Sequence, residues 1–446
     1  MEDAIEDQSL PKGRSSSSKR MRSATKFMVD KSTKACSASK RLKISCSLSM
    51  ENILKGDARQ LLDNQADVSL TLAKHFMLNY GKDSNLVFSP TSVQVILAIV
   101  AAGSGAGTLD QLLSFLKAKS IDDLNHLYLH LVALVFAKSS DGLCLSFANG
   151  VWVDKSVSVK PPFKHVVSNL YKAAFQQVDF QNKPDDVLNL VNSWIKKETN
   201  GLIQKVLPAG SVKSLTRLIF ANALYFKGEW MTRFDKSKTK SFKFHLLNGD
   251  SVEVPFMTSY KKQFVRVFNG FKVLNLPYKQ GKNLYSDKLS FSMYIFLPDA
   301  KDGLPALLEK AGSEPGFLER HIPSREVELR QFRIPKFKFE YSIEMTQALQ
   351  KLGLDLPFDP NVGLSEMVDD PNPLFVSNIF HKSFIEVDEK GTEASAATGV
   401  YAAECCAMIQ LAPIDFVADH PFLFVIRENT SGIVQFMGQV LNPSLK

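Results

Sequence analysis

The chain has 446 residues, 45% hydrophobic and 22% charged, an ordinary globular balance with enough apolar residues for a sizeable core. Its formal charge of +8 would suit a polyanion binder, but residues 1–47 hold 11 Lys or Arg against 5 Asp or Glu, which leaves 43 against 41 for all that follows and excludes a basic face of the folded part. The longest strongly apolar stretch, Val93–Ala102, is well short of the about 20 residues that cross a bilayer. Five cysteines lack framework or metal-ligand spacing, so neither a disulfide scaffold nor a metal site is expected, and a reducing compartment fits.

Residues 1–47 carry eleven serines and almost no apolar periodicity, so they cannot offset the entropy cost of ordering and read as a disordered tail. Two basic clusters, Lys19-Arg20-Met21-Arg22 and Lys40-Arg41-Leu42-Lys43, offer at most a weak nucleic-acid or nuclear-import patch. The acidic start (Glu2, Asp3, Glu6, Asp7) has no apolar run behind it and argues against a secretory signal, so an intracellular location, cytoplasm or nucleus, is expected. A single domain is expected over 48–446.

Val68, Leu72, Phe76 and Tyr80 recur every four residues and predict an amphipathic helix. Leu289 to Leu297, ending before Pro298, reads as a largely buried strand. Further strands are expected around Val327–Leu329 and Phe337–Phe339, interrupted at Pro335, and over Asn378–Asp388. Two apolar runs, Phe422–Ile426 and Ile433–Val440, bracket Glu428-Asn429-Thr430-Ser431-Gly432 as a hairpin. Early helices followed by later strands make an α+β fold the expectation.

Between those strands lies the most telling run, Glu389-Lys390-Gly391-Thr392-Glu393-Ala394-Ser395-Ala396-Ala397-Thr398. Gly391 frees the backbone for a sharp turn, and small side chains follow it. As a strand, one face would carry Thr392, Ala394, Ala396 and Thr398 and could be buried. The other would carry Glu393, Ser395, Ala397 and Gly399, which water tolerates. A helix, a spacer and an exposed loop are equally open to it from composition alone.

Several motifs in order resemble the serpin family. Glu389–Thr398 is similar to the proximal hinge of its reactive-centre loop, and Phe416-Val417-Ala418-Asp419-His420-Pro421-Phe422 to its C-terminal signature. Asn85-Leu86-Val87-Phe88-Ser89-Pro90, Val191-Asn192-Ser193-Trp194, Ala221–Trp230 and Phe332–Phe337 resemble further family segments, and Tyr278-Lys279-Gln280-Gly281 resembles its plant branch. The resemblance implies three β-sheets, eight or nine helices, a metastable native state and an exposed loop over about 391–415. It also implies inhibition of a serine or cysteine endopeptidase, a target trapped covalently as an acyl-enzyme when the cleaved loop enters the largest sheet.

The family's usual loop length, counted as fifteen residues from Gly391, places the reactive bond at Cys405-Cys406. Many plant relatives carry Arg or Lys before that bond, and Cys405 departs from them. By the same resemblance Ser89, Ser92, Asn222 and His381 form a buried cluster that governs opening of the sheet, and Trp230 stands at the sheet's top. No cofactor is implied, a monomer is expected, and a catalytic role is not, since the small-residue loop offers Cys405 and Cys406 no thiolate-stabilising site with His381 or His420 as base. The competing reading is a non-inhibitory family member acting as an intracellular or nuclear interaction protein; the absence of charge, bulk or proline at the even hinge positions favours the inhibitor.

Overall fold

The computed structural model describes residues 57–135, 143–281, 289–369, 374–392 and 414–445. Its first described helix, Asp57–Asn79, buries Val68, Leu72 and Phe76 as the four-residue spacing predicts, and starts eight residues before that stripe. The next helix, Pro90–Ala102, is buried along nearly its whole length because its sequence is apolar on every side. Ser89 caps it, its Oγ accepting the Ser92 amide at 3.2 Å, and Pro90 stands at the first turn, where no amide proton is required.

Three sheets surround these helices. In a seven-stranded antiparallel sheet the order is Leu86–Phe88, Val434–Val440, Phe422–Glu428, Phe291–Pro298, Phe271–Pro277, Gln263–Phe268 and Glu326–Val327. All eight residues of Phe291–Pro298 and all seven of Phe422–Glu428 are buried. Cover on both faces explains why these segments read as continuous apolar runs. The four-stranded sheet orders Ile414–Val417, Leu329–Pro335, Ser251–Met257 and Lys240–His245. Pro335 ends one strand, and after Lys336 the chain resumes as Phe337–Glu344 in another sheet, which is the physical meaning of the interrupted alternation.

The six-stranded sheet positions the site. Its order is Phe337–Glu344, Asn378–Val387, Leu218–Glu229, Leu143–Asp154 and Ala174–Val178, with Gly391–Thr392 paired separately onto Leu218–Glu229. Its inner face joins the main core through Leu224 and Phe226. Part of its outer face is covered as well: Ile219, Ala221 and Ala223 pack with Val187, Val191 and Ile195 of the helix Pro184–Glu198. The α+β expectation and the three sheets are thus observed. No helix among the described residues is long and apolar enough to cross a membrane.

Candidate functional site at the open end of the six-stranded sheet

The two central strands, Leu218–Glu229 and Asn378–Val387, run parallel and pair from Ile219↔Asn378 to Tyr225↔Phe384. Beyond that point they part. The Tyr225 and Phe384 rings stack at the fork, 5.8 Å apart and inclined at 29°. Ile385–Val387 stays with its outer neighbour Phe337–Glu344, so the inner edge of Phe226–Glu229 is left without this strand.

Into that mouth the chain turns back. Asp388 Oδ1 accepts the Lys390 and Gly391 amides at 2.9 and 3.2 Å, closing a tight turn. Gly391 then pairs antiparallel with Glu229, and Thr392 with Gly228. Only glycine fits at 391: its φ is 138°, and a Cβ there would stand 2.2 Å from the Gly228 carbonyl oxygen and 2.6 Å from Glu229 Cα.

Trp230 grips this turn. It is 1% exposed, its backbone amide donates to the Lys390 carbonyl at 3.0 Å, and its indole Nε1–H donates to the Asp388 carbonyl at 2.9 Å. Tyr278 stacks on its ring at 4.5 Å. The Phe234 amide donates to the Glu389 carbonyl at 2.9 Å. Glu389 is buried, and its carboxylate accepts Lys336 Nζ at 2.7 Å and Thr239 Oγ1 at 2.8 Å. Burial alone would raise that carboxyl; the hydrogen bonds, led by Lys336, outweigh it and hold the group below the usual range.

Further down the same strands lies a buried polar cluster. The Ser89 amide donates to His381 Nε2 at 3.0 Å, so that nitrogen carries no proton and Nδ1–H donates to Asn222 Oδ1 at 2.7 Å. Ser383 Oγ–H donates to the same Nε2 at 2.8 Å, and Asn222 Nδ2 donates to Asn149 Oδ1 and to the Ala148 carbonyl. Complete burial pushes the His381 imidazole down to about 3, so it is neutral at physiological pH. Ser383 and Asn149 were not singled out from sequence. Ser383 lies two residues from His381 on one strand face, a usable signal, whereas Asn149 is found only through its register with Asn222.

Three of the four residues expected in this cluster bond side chain to side chain or through Ser89's amide; Ser92 enters only by donating its amide to Ser89 Oγ, and its own hydroxyl is buried without a partner among the described residues. His381 and His420 both have their two ring nitrogens engaged, His420 with Asp419 Oδ1 and the Pro298 carbonyl at 2.8 Å each. Neither is free to serve a thiol as base. Glu393, Ala394, Ser395, Ala396, Ala397, Thr398, Cys405, Cys406 and the tail 1–47 lie outside the described residues. The chain is described again from Ile414, paired parallel with Leu329–Pro335, where Arg330 forks onto the Asp415 carboxylate.

Comparison with known proteins bears on what this arrangement is for. Residues 63–443 match the family described as Serpin (serine protease inhibitor). The chain is 52% identical over 392 residues to Serpin-ZX of Arabidopsis thaliana, covering 87% of this chain and 99% of that one. It is 47% identical to wheat (Triticum aestivum) Serpin-Z2A over 88% of this chain and 99% of that relative. The solved structure of Arabidopsis AtSerpin1 in a native stressed conformation superposes with a TM-score of 0.80 at 51% identity, covering 87% of this chain and 99% of that one. With a family match across most of its length and plant relatives of this similarity, the chain belongs to the serpin family of protease inhibitors, in its plant Serpin-Z branch.

Proposed function

We propose that the protein traps its target endopeptidase by suicide-substrate inhibition, with Cys405-Cys406 as the bait. The protease nucleophile, a serine hydroxyl or cysteine thiol, adds to the Cys405 carbonyl. The peptide bond breaks, Cys406 leaves as a free amine that takes the proton, and Cys405 remains as an ester or thioester. Insertion of the freed loop into the six-stranded sheet must outrun hydrolysis of that bond.

The observation that carries this reading is the antiparallel pairing of Gly391 and Thr392 with Glu229 and Gly228. Continuing that register puts Ala394 opposite Phe226, Ala396 opposite Leu224 and Thr398 opposite Asn222. Phe226 and Leu224 belong to the main core, so small uncharged residues suit these positions. Glu393 falls opposite Lys227, an attractive cross-strand pair. Thr398 falls between Asn222 and His381, which are paired now. Its hydroxyl can both donate and accept, so it suits the polar gap left when their 2.7 Å bond opens.

The outer face differs from the expectation of water along its length. Ala397 and Gly399 fall opposite Ala223 and Ala221, beneath the helix Pro184–Glu198, so their smallness answers to packing under a helix. Glu389, Trp230, His381, Asn222, Ser89 and Ser92 act here as guides of sheet opening, as a hinge anchor and a latch. The reading includes an intracellular monomer with its tail outside the folded domain.

Incubation with pancreatic elastase, chymotrypsin and papain tests it. The expected result is a covalent complex stable to denaturing electrophoresis, and a released peptide beginning at Cys406. Clean cleavage with no complex and no gain in thermal stability would refute inhibition and favour a non-inhibitory interaction protein.

A further inference from the structure

Beside the turn at Asp388–Gly391 lies a surface that the hinge does not use. Tyr260 is 83% exposed, the most exposed of the large hydrophobic side chains described. Lys238 Nζ stands 4.7 Å from its ring centre. Lys236, Lys240, Lys261 and Lys262 are exposed too, and none has an ion pair among the described residues. Asp235, 3.8 Å from Lys238, is the one acidic residue in the runs 235–240 and 258–262, which together hold five lysines.

The fold gathers these residues from two separate stretches. Lys240–His245 pairs antiparallel with Ser251–Met257, Lys240 facing Phe256, so the start of one strand and the end of the other meet at one corner of the four-stranded sheet. That corner is fastened to the hinge. Thr239, between Lys238 and Lys240, donates its hydroxyl to Glu389 Oε1 at 2.8 Å. Thr258 donates to the Phe332 carbonyl at 2.7 Å, Phe332 stacks on Phe234, and the Phe234 amide holds the Glu389 carbonyl.

The geometry points to an accessory docking site, formed by Tyr260 and Lys236, Lys238, Lys240, Lys261 and Lys262, for an acidic surface patch on the target endopeptidase. This rests on the inhibitor reading: an enzyme that engages the loop must approach the pole from which the loop springs. Five clustered ammonium groups raise the encounter rate of an acidic partner. Tyr260 supplies a rigid amphipathic contact at small entropy cost. Neither role needs Cys405 to match the enzyme's primary pocket, so specificity absent at the bond is supplied beside it. A free polyanion is the competing occupant. The protease is favoured because the patch adjoins the loop's base, and because an exposed aromatic adds contact that a sulfated chain does not need.

The test uses the full chain and pancreatic elastase in native and succinylated forms, each rate normalised to a small peptide substrate. Succinylation turns the enzyme's lysines into carboxylates. Loop consumption is followed, whether it ends in complex or in cleavage, at about 20 mM and about 500 mM salt. The site predicts roughly tenfold faster consumption by the succinylated enzyme at low salt, vanishing at high salt. In the combined variant Y260S, K236Q, K238Q, K240Q, K261Q, K262Q the ratio falls to near one. An equal ratio in wild type and variant overturns the proposal. So does a wild-type ratio of one with retention on immobilised dextran sulfate that the variant loses, which would assign the patch to a polyanion. Trapping is scored separately: cleavage without complex refutes the suicide mechanism, while the rate ratio still decides on the docking site.

Discussion

Ala396→Glu probes the insertion register most directly. The register places residue 396 opposite Leu224, which is 0% exposed on the core side of the sheet. An ionised carboxylate cannot enter there, so the side chain must first take up a proton. At about pH 7.5, neutralising a glutamate of ordinary pKa ~4.3 costs about 4 kcal/mol, and burying the neutral acid without a partner adds about 1–3 kcal/mol. A transition state that feels half of the protonation term alone slows insertion roughly 40-fold. Hydrolysis then wins, and the chain becomes a substrate. At about pH 5 the protonation term shrinks to about 1 kcal/mol, and trapping returns. His381 stays neutral across this window, since its value lies at about 3. The assay is the ratio of denaturation-resistant complex to cleaved chain, relative to wild type at each pH. A396E forming complex in wild-type yield at about pH 7.5 would refute the register.

Gly391→Ala drives a Cβ into the Gly228 carbonyl and should break the Asp388–Thr392 hold on the mouth; hydrogen exchange at the Trp230 amide, now bonded to Lys390, accelerates at least about tenfold. Lys336→Met leaves the Glu389 carboxylate, 6% exposed, without its cation and costs about 1–3 kcal/mol in denaturant unfolding, most of it recovered in K336M/E389Q. His381 has a folded value below its ordinary 6.5, so the unfolded chain binds the proton first. Its contribution is therefore full above about pH 6.5 and is lost toward pH 3, at about 1.4 kcal/mol per pH unit. The slope of stability against pH should flatten in H381Q; an unchanged slope would remove His381 as the sensing group.

Elements with a strong local signature were legible. The helix stripe Val68, Leu72, Phe76, the strand before Pro298, the C-terminal hairpin and the Ser89-Pro90 helix start stand as expected, because apolar period and capping chemistry are properties of neighbouring residues. Gly391 was legible as a turn for the same reason. Its second constraint, the approach of the Gly228 carbonyl from 163 positions earlier in the chain, was not.

By itself the sequence determined which residues can be buried and which segment could change state, since small alternating side chains after a glycine are a local fact. Only the tertiary structure decided what they meet. Trp230 on the Asp388 carbonyl, Asn149 on Asn222, Lys336 on Glu389, and the lysines gathered around Tyr260 all depend on strand registers that join distant stretches of chain. Periodicity says which face of a strand looks inward. Which neighbour it finds there is set by sheet pairing, and sheet pairing is won by the packing of the whole core.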